Sequence, residues 1–486
     1  DIKRDSQGVV DAISAEDIGK FPDTNLAESL QRITGVSINR SNGEGSKVSI
    51  RGFGPDYVLV TLNGRQMPGS TIEATSVSGS RSFDFSNIAS EGVSGVEVYK
   101  TVRAAVPAGG VGGTVNVKTA RPFDNPGQQL SVGVKGVYDD SATDPSLTPE
   151  VSGLYSNTFA DDKFGIGLSM SYQKREGGNA NAEIGTGWRY FEAGAEGWGS
   201  IPNLQDTDFH TNPPSPEDGD IYGVPQQTGY SFNEYERERL NGQLVLQYAP
   251  TDNIVATLDY TYAEKEESAK FSDVGAWFNF GANRRTSWTD NGAGAVEAPY
   301  MYEEFGLNGA DLTFGSGYNS SVNTNDSLGF NIEWNVSDRL TLGFDAHSSE
   351  AESKPNSPYG NSNVITTSAF LRDSSAVYLG EDFPVLNVGV SKTPELEDLQ
   401  ITGSSFRNAR MVHEIDQFQF NGNFEFNDVF DMDFGVSSIE QSNRSTFANN
   451  QRDTWGGLGN PGDVPMDGYT MDDIASYFDN VSGTGN

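Results

Sequence analysis

From about residue 128 onward, apolar and polar residues alternate in long segments. One segment covers 243–248, a tight turn follows over 249–253, and alternation resumes over 254–262. Side chains of a β-strand point to opposite faces in turn, so this pattern predicts a β-hairpin with one apolar and one largely polar face.

The pattern recurs, and roughly ten alternating segments follow residue 126. The clearest others are 164–172, 328–336, 340–346 and 418–436. Their connections alternate between tight turns and long excursions over 176–234 and about 267–323. Outer-membrane barrels combine a polar lumen with short periplasmic turns and long extracellular loops. The pattern therefore favours a transmembrane barrel, and a soluble β-rich protein is the alternative.

The number of segments predicts an incomplete barrel. Outer-membrane transporters with a plugged lumen use about 22 strands. The end of the sequence, 469–486, is typical of a helix or loop and not of a closing strand. We therefore expect the printed sequence to be a fragment or an incomplete representation, holding about the first half of the barrel.

Composition narrows the function classes. The chain has 32 basic and 68 acidic residues, of which 13 and 14 fall within residues 1–125, so nearly all of the net charge of −36 lies beyond that point. Phosphate repulsion makes nucleic acid an unsuitable partner. The acidity indicates either a solvated surface or loops that attract cationic ligands, and the first interpretation is favoured.

The residues of metal and nucleophilic chemistry are scarce. Cysteine is absent, and the three histidines, His210, His347 and His413, are far apart in sequence. We expect no metal site, no cofactor and no enzymatic activity. No run of about 20 apolar residues predicts a membrane helix. The mean hydropathy of −0.50 is still compatible with barrel strands, which alternate apolar and polar residues.

Residues 1–125 have a different sequence pattern, with short helical and strand segments and many glycines. A strand and short helix over 10–19 are followed by LAESLQRITGV at 26–36, VSIRGFG at 48–54, VLVTLNGR at 58–65, VEVYK at 96–100 and AGGVGGTVNV at 108–117. In this order the motifs resemble the plug domain of TonB-dependent outer-membrane receptors, in the style of the large subgroup of Caulobacter-like and Xanthomonas-like bacteria.

The resemblance implies a fold and a location. The expected fold is a mixed α/β plug, residues 1–125, inside a transmembrane antiparallel β-barrel whose N-terminal portion is 126–486. The expected location is the bacterial outer membrane. The short TonB-binding box of the family should lie upstream of Asp1.

The resemblance also implies active import of a scarce nutrient. The expected partners are TonB with its inner-membrane energising complex, outer-membrane lipid and lipopolysaccharide, and a small-molecule or oligosaccharide ligand; a surface lipoprotein is left open. We favour an oligosaccharide or other organic nutrient. A ferric siderophore is the alternative, and a soluble glycan-binding or structural protein is the alternative from another class.

Two plug cations are expected to contact the barrel. By resemblance, Arg51 and Lys100 correspond to the cations that pair with barrel glutamates, and those glutamates are expected beyond the printed sequence. Lys100 stands where many members have arginine, so the charge is kept and the bidentate fork is lost. A local, turn-stabilising charge is the other interpretation.

Ligand contact is expected at the plug apex and in the long loops. The apex candidates are Asn42, Glu44, Met67 and Arg81, and the loop candidates are the aromatic residues Trp188, Tyr190, Trp198, Tyr222 and Trp288. Aromatic rings suit stacking on a sugar or a siderophore. They equally suit an interfacial girdle or packing within the loops.

Overall fold

The computed structural model describes residues 8–14, 25–69, 71–72, 80–211, 216–217, 219–279, 283–288, 296–427 and 430–463. The helix expected at 15–19 and the C-terminal segment 469–486 lie outside these residues. The described residues form two main sheets, a small one before residue 120 and a large one after residue 128, together with a two-stranded and a three-stranded sheet.

The small sheet has five strands in the order β1-β6-β7-β4-β5. The strands are β1 (Val10–Ser14), β4 (Val58–Leu62), β5 (Arg65–Gln66), β6 (Val93–Tyr99) and β7 (Gly113–Thr119). A separate hairpin joins β2 (Val36–Ser41) to β3 (Glu44–Ile50), and helix α1 covers Leu26–Leu30. These elements, within 8–119, are called the inner domain below. The N-terminal strand and β5 form its two opposite sheet edges.

Helix α1 is fixed by one buried asparagine. Asn25 accepts hydrogen bonds through Oδ1 from the backbone N–H groups of Ala27 and Glu28, at 3.0 and 3.3 Å. Its Nδ2 donates to the carbonyl of Gly45 at 2.6 Å, which ties the helix to the β2–β3 hairpin. The helix then buries Leu26 and Leu30 in the core of the inner domain.

The large sheet begins with β8 (Gln129–Tyr138), β9 (Leu147–Phe159), β10 (Phe164–Glu183), β14 (Gln227–Thr251) and β15 (Ile254–Trp277). It continues with β18 (Pro299–Ser337), β19 (Leu340–Pro355), β20 (Ser362–Tyr378), β21 (Val385–Val390), β22 (Leu399–Asn427) and β23 (Phe430–Leu458). These strands pair antiparallel along the path β21-β20-β22-β19-β18-β15-β14-β10-β9-β8, with β23 on β22. They are called the wall.

The predicted hairpin at 243–262 is confirmed, but the wall strands run much further than the alternation indicates. Strand β14 has 25 residues and β15 has 24. Much of the long excursions predicted at 176–234 and 267–323 is therefore strand. Both faces of these extensions are polar, so the alternating pattern that would reveal them is missing.

Between wall strands lie shorter elements that build the long connections. They are β11 (Trp188–Glu192), β12 (His210–Thr211), β13 (Ile221–Pro225), β16 (Arg284–Trp288) and β17 (Val296–Glu297). Strands β11, β13 and β17 form a three-stranded sheet, while β12 and β16 extend the wall.

On the wall, apolar side chains are exposed and polar side chains are buried, the reverse of the arrangement in a soluble protein. Leu258 is 42% exposed while the adjacent Asp259 is 3% exposed. Leu246, Leu258 and Phe330 stand in register on neighbouring strands, so the exposed apolar residues form a band, as expected of a lipid-facing surface. No helix among the described residues is long and apolar enough to cross a membrane.

The same outer face becomes acidic toward the long connections. Asp326, Glu350 and Glu414 stand in direct register on β18, β19 and β22. Part of the negative charge of the chain therefore lies on the wall itself, just above the apolar band, and not only in the loops.

Candidate functional site

The inner domain meets the polar face of the wall through a buried arginine. Strand β4 turns into β5 at Asn63 and Gly64, both with positive φ (53° and 85°), the conformation of a tight hairpin turn. The next residue, Arg65, donates through Nη1 to both carboxylate oxygens of Asp259 at 2.7 Å. Its Nε and Nη2 donate to Asp345 at 2.9 Å.

This arrangement keeps Arg65 charged although it is only 2% exposed. Burial by itself lowers the pKa of Arg65, but the hydrogen bonds and charges of Asp345 and Asp259 outweigh burial and raise that pKa above its ordinary value. The two carboxylates come from different wall strands, β15 and β19. Arg65 therefore joins one sheet edge of the inner domain to two strands of the wall.

The backbone after Arg65 is also held by wall side chains. The N–H of Gln66 donates to Gln417 Oε1 at 3.1 Å, and His347 Nε2 lies 3.2 Å from the carbonyl of Gln66. Asn325 Nδ2 donates to the carbonyl of Pro68 at 2.9 Å, and His413 Nδ1 lies 3.3 Å from the N–H nitrogen of Gly69. Segment 65–69 thus contacts β15, β18, β19 and β22.

A second contact has the opposite polarity. Glu44, at the start of β3, accepts through Oε1 from Arg175 Nη1 at 2.7 Å and from Arg237 Nη2 at 2.8 Å. These arginines belong to β10 and β14. One inner-domain carboxylate is therefore shared by two wall cations, the reverse of the arrangement at Arg65.

A third contact joins Asp84 to Lys265 on β15. Lys265 Nζ lies 2.8 Å from Asp84 Oδ2 and donates to Ser86 Oγ at 2.7 Å, while Arg239 Nη1 donates to the carbonyl of Ser86 at 2.9 Å. Burial by itself raises the pKa of Asp84, but the charge and hydrogen bond of Lys265 and the hydrogen bonds of Ser86 outweigh burial and hold that pKa below its ordinary value.

A cavity of about 520 Å³ opens between the β2–β3 hairpin and the wall, on the side of the long connections. Its cationic lining residues are Arg40, Lys47, Arg175, Arg237 and Lys265, and its acidic ones are Glu44, Asp84, Asp139, Glu176, Glu236 and Glu267. Tyr235 adds an aromatic ring. The charges nearly balance, so the cavity is strongly polar without favouring one sign.

The four apex residues predicted from the sequence are divided between two cavities. Asn42 and Glu44 line the one just described. Met67 and Arg81 line another, of about 420 Å³, which also contains His413. Glu44 serves as an ion-pair partner of the wall as well, so a ligand in its cavity would lie directly beside that ion pair.

The predicted loop aromatics have three different environments. Tyr222 and Trp288 are buried in a loop core, with their ring centroids 5.9 Å apart. Trp188 is half-buried in β11. Tyr190 and Trp198 are exposed. Packing within the loops therefore accounts for the first two. Of the exposed pair, Trp198 lies beneath the Arg189 guanidinium, whose Cζ is 3.8 Å from the ring centroid, and Tyr190 is 61% exposed.

Arg51 and Lys100 are brought together within the inner domain. Arg51 donates to the backbone carbonyl of Lys100, and Lys100 Nζ pairs with Asp11 and donates to the carbonyl of Thr34 at 2.6 Å. These contacts match the local-charge interpretation of Lys100. Their pairing with barrel glutamates stays a prediction.

Sequence reasoning missed the residues that do join the inner domain to the described wall. Among them, Asp259 interrupts the polar face of the predicted hairpin with a charge, and Lys265 follows three residues beyond the end of that hairpin. That signal identifies lumen-facing positions. It does not indicate which inner-domain residue each charge meets.

Residues 2–114 match the family of the TonB-dependent receptor plug domain. The inner domain is the plug of a TonB-dependent receptor. Proteins of this type are transport receptors of the bacterial outer membrane and not enzymes, which places this chain in that membrane. Among the described residues, no group of three or more His, Asp or Glu side chains is arranged to hold a metal ion.

Solved structures similar to this chain include three receptors. The siderophore receptor PirA from Acinetobacter baumannii is 12% identical, with a TM-score of 0.30, and the match covers 92% of this chain and 78% of that chain. The ferric citrate transporter FecA in the unliganded form is 12% identical, with a TM-score of 0.32 and coverages of 92% and 74%. BauA, the ferric preacinetobactin receptor from Acinetobacter baumannii, is 12% identical, with a TM-score of 0.33 and coverages of 92% and 61%.

Proposed function

We propose that this receptor imports a hydroxyl-rich organic nutrient, such as an oligosaccharide, and that the nutrient binds in the 520 Å³ cavity between plug and wall. In this proposal residues 1–125 are the plug and residues 126–486 belong to the barrel. The cavity lies in the size range of small-molecule sites. Residues of both domains line the cavity. A bound ligand would therefore alter the contact between plug and wall, which must change during import.

The lining of the cavity supports an uncharged, polar ligand. Carboxylates accept and guanidinium groups donate in planar, bidentate arrangements, which suits neighbouring hydroxyl groups. A strongly charged ligand of either sign would meet several like charges. The exposed ring of Tyr190 is suited to a first stacking contact outside the cavity.

A ferric siderophore is the second candidate. Five cationic side chains line the cavity, and Arg175 and Arg237 already hold one carboxylate, that of Glu44. An anionic ligand would compete with Glu44 for both arginines. TonB with its inner-membrane complex, lipopolysaccharide at the wall and a surface lipoprotein are the partners proposed with either ligand.

Uptake of labelled ligands by cells with and without TonB tests the proposal. Oligosaccharides of graded length and ferric siderophores are compared, and binding is measured on the same cells. We expect a saccharide to bind in both strains and to enter only with TonB. Equal uptake without TonB would contradict the transport mechanism. If siderophores bind and saccharides do not, the ligand is a ferric siderophore and not a saccharide.

A matched pair of lysine variants tests the site. Lys47 lines the cavity, whereas Lys118 lies in β7 and pairs with Glu97. Lys47→Met removes one charged hydrogen-bond donor, and we expect about tenfold weaker binding, since such bonds contribute about 1.5–3 kcal/mol. Lys118→Met should leave binding unchanged. Equal effects of the two variants would place the ligand elsewhere.

A further inference from the structure

The plug sheet has one edge at the N-terminal strand and the other on the wall. Strand β1 forms the first edge, and β5, which carries Arg65, forms the second. A force applied at the N-terminal end of the plug therefore enters the sheet at the edge opposite to its attachment. In the proposed import, on which this inference rests, TonB supplies that force.

The chain leaves the sheet in a defined order when it is drawn out from its N-terminal end. Strand β1 goes first, followed by helix α1, the β2–β3 hairpin and then β4, which lies between β7 and β5. Only after these elements does the extended chain reach Arg65. Strands β6 and β7 come later in the sequence and continue into the wall, where the N–H of Phe123 donates to Gln247 Oε1 at 2.8 Å.

Among the described residues of this path, two form ion pairs with the wall. The carboxylate of Glu44 comes first; it is 7% exposed, and it lines the cavity together with its two arginines. Arg65 comes second, is 2% exposed and does not belong to the lining of that cavity. Withdrawing Arg65 would strip a guanidinium of both carboxylates while Asp259 and Asp345 stay behind in a buried site.

The neighbours of Arg65 strengthen the attachment. Wall side chains hold the backbone groups of Gln66, Pro68 and Gly69, and these side chains belong to β18, β19 and β22. Removing segment 65–69 would require these contacts to break one after another once Arg65 has separated from its carboxylates. The Glu44 contact, by comparison, depends on one carboxylate.

We propose that Arg65 is the stop that divides the plug into a part that is withdrawn and a part that remains. Residues before Arg65 are drawn out of the lumen, and the β5 edge stays on the wall through Asp259 and Asp345, together with β6 and β7. Arg65 is thus a positioning residue that sets how much of the plug opens.

Single-molecule pulling on the receptor in outer-membrane patches tests this division. The chain has no cysteine, so Val9→Cys, at a site 54% exposed, provides a unique handle. At about 3.4 Å per extended residue, we expect a first stop near 120 Å, where Glu44 is reached, and a stronger one near 190 Å, where Arg65 is reached. Each variant is first checked for a folded, heat-modifiable barrel.

Variants separate the two stops. Arg65→Ala should abolish the stop near 190 Å, so that extension continues to about 380 Å, near the end of the plug. Arg65→Lys should keep the stop at a lower force, because the charge remains and the bidentate fork is lost. Glu44→Gln should weaken only the first stop. Arg40→Ala, which breaks an exposed ion pair to Glu28 within the plug, should leave the Arg65 stop unchanged.

If Arg65→Ala does not fold, Asp259→Asn and Asp345→Asn remove one carboxylate each and should both lower the force of the second stop. An extension that runs past 190 Å in the unmodified receptor, or a second stop that survives loss of both carboxylates, would overturn the proposal. The measurement needs neither ligand nor TonB. Its failure would therefore leave the proposed import standing, and TonB-independent uptake would refute import without removing the stop.

Discussion

Replacing Lys265 by methionine should loosen the middle of the plug without disturbing the wall. Lys265 is 2% exposed, and its Nζ lies 2.8 Å from Asp84 and 2.7 Å from Ser86. The variant leaves the Asp84 carboxylate buried without its cation. Removing one partner of a buried ion pair costs about 3–5 kcal/mol. Ser86 still donates to Asp84 through its N–H and its hydroxyl, so we expect the lower end, about 3 kcal/mol.

Hydrogen exchange of plug peptides that cover 80–99 measures this cost as a local opening free energy. A loss of about 3 kcal/mol corresponds to roughly 150-fold faster exchange, at 1.36 kcal/mol per factor of ten. Adding Asp84→Asn should restore most of the protection, because no uncompensated charge remains. The matched control is Lys174→Met, since Lys174 pairs at 2.8 Å with Glu236 on the neighbouring wall strand and not with a residue of the plug.

The pH dependence provides an independent check. Because the folded-state pKa of Asp84 lies below its unfolded value, the ionised carboxylate contributes stability that is fully present above about pH 3.8 and is lost as the pH falls through the lower, folded pKa. Asp84→Asn should remove this dependence. The reasoning is refuted if Lys265→Met exchanges like the unmodified receptor, or if the single and double variants exchange equally fast.

Three further changes should be measurable by the same exchange method. Asn25→Ala removes the cap of α1 and a tether to the hairpin, so the helix peptides should lose about 1–2 kcal/mol, and Asn25→Asp should retain the cap. Gly113→Ala should destabilise β7 because φ is +153° and a Cβ would lie 2.8 Å from the carbonyl of Tyr99, whereas Gly54→Ala, with open space around it, should be mild. Burial lowers the pKa of His210 below its ordinary value, while the charge of Asp206 raises it and that of Arg284 lowers it. The neutral ring, whose Nδ1 lies 2.8 Å from Thr286 Oγ1, should therefore stabilise the pairing of β12 with β16 above pH 6.5, and this contribution should be lost as the pH falls through the folded pKa. His210→Asn should abolish that dependence.

The parts of the fold that repeat a local pattern could be predicted from the sequence. The hairpin at 243–262 follows from alternation alone, and the motifs at 48–65 carry the resemblance to the plug. The parts of β14 and β15 next to the long connections could not be predicted. Both of their faces are polar, and nothing in the local sequence distinguishes strand from loop. Their strand structure depends on pairing with neighbours already aligned below them.

The candidate site depended on contacts between residues far apart in the chain. Arg65 and Asp345 are 280 positions apart, and no local spacing relates them. The prediction that Arg51 and Lys100 are the contact cations rested on resemblance, and the structure places both against the plug itself. The apex residue Glu44 was singled out for ligand contact and also pairs with the wall, a dual position that the sequence does not reveal.

A plug that must move explains why its attachment to the wall is ionic and not apolar. Buried ion pairs contribute little net stability compared with apolar contacts of similar volume, because desolvation offsets much of their attraction. An apolar interface would expose its surface to water in the lumen each time the plug opened, and it would favour aggregation or collapse. Charged groups regain hydration when they separate, so Glu44 and its two arginines can part and rejoin reversibly. The same reasoning predicts that a fixed attachment must keep water from its charges. Arg65, with its two carboxylates and 2% exposure, lies away from the cavity, whereas Glu44, 7% exposed, lines it.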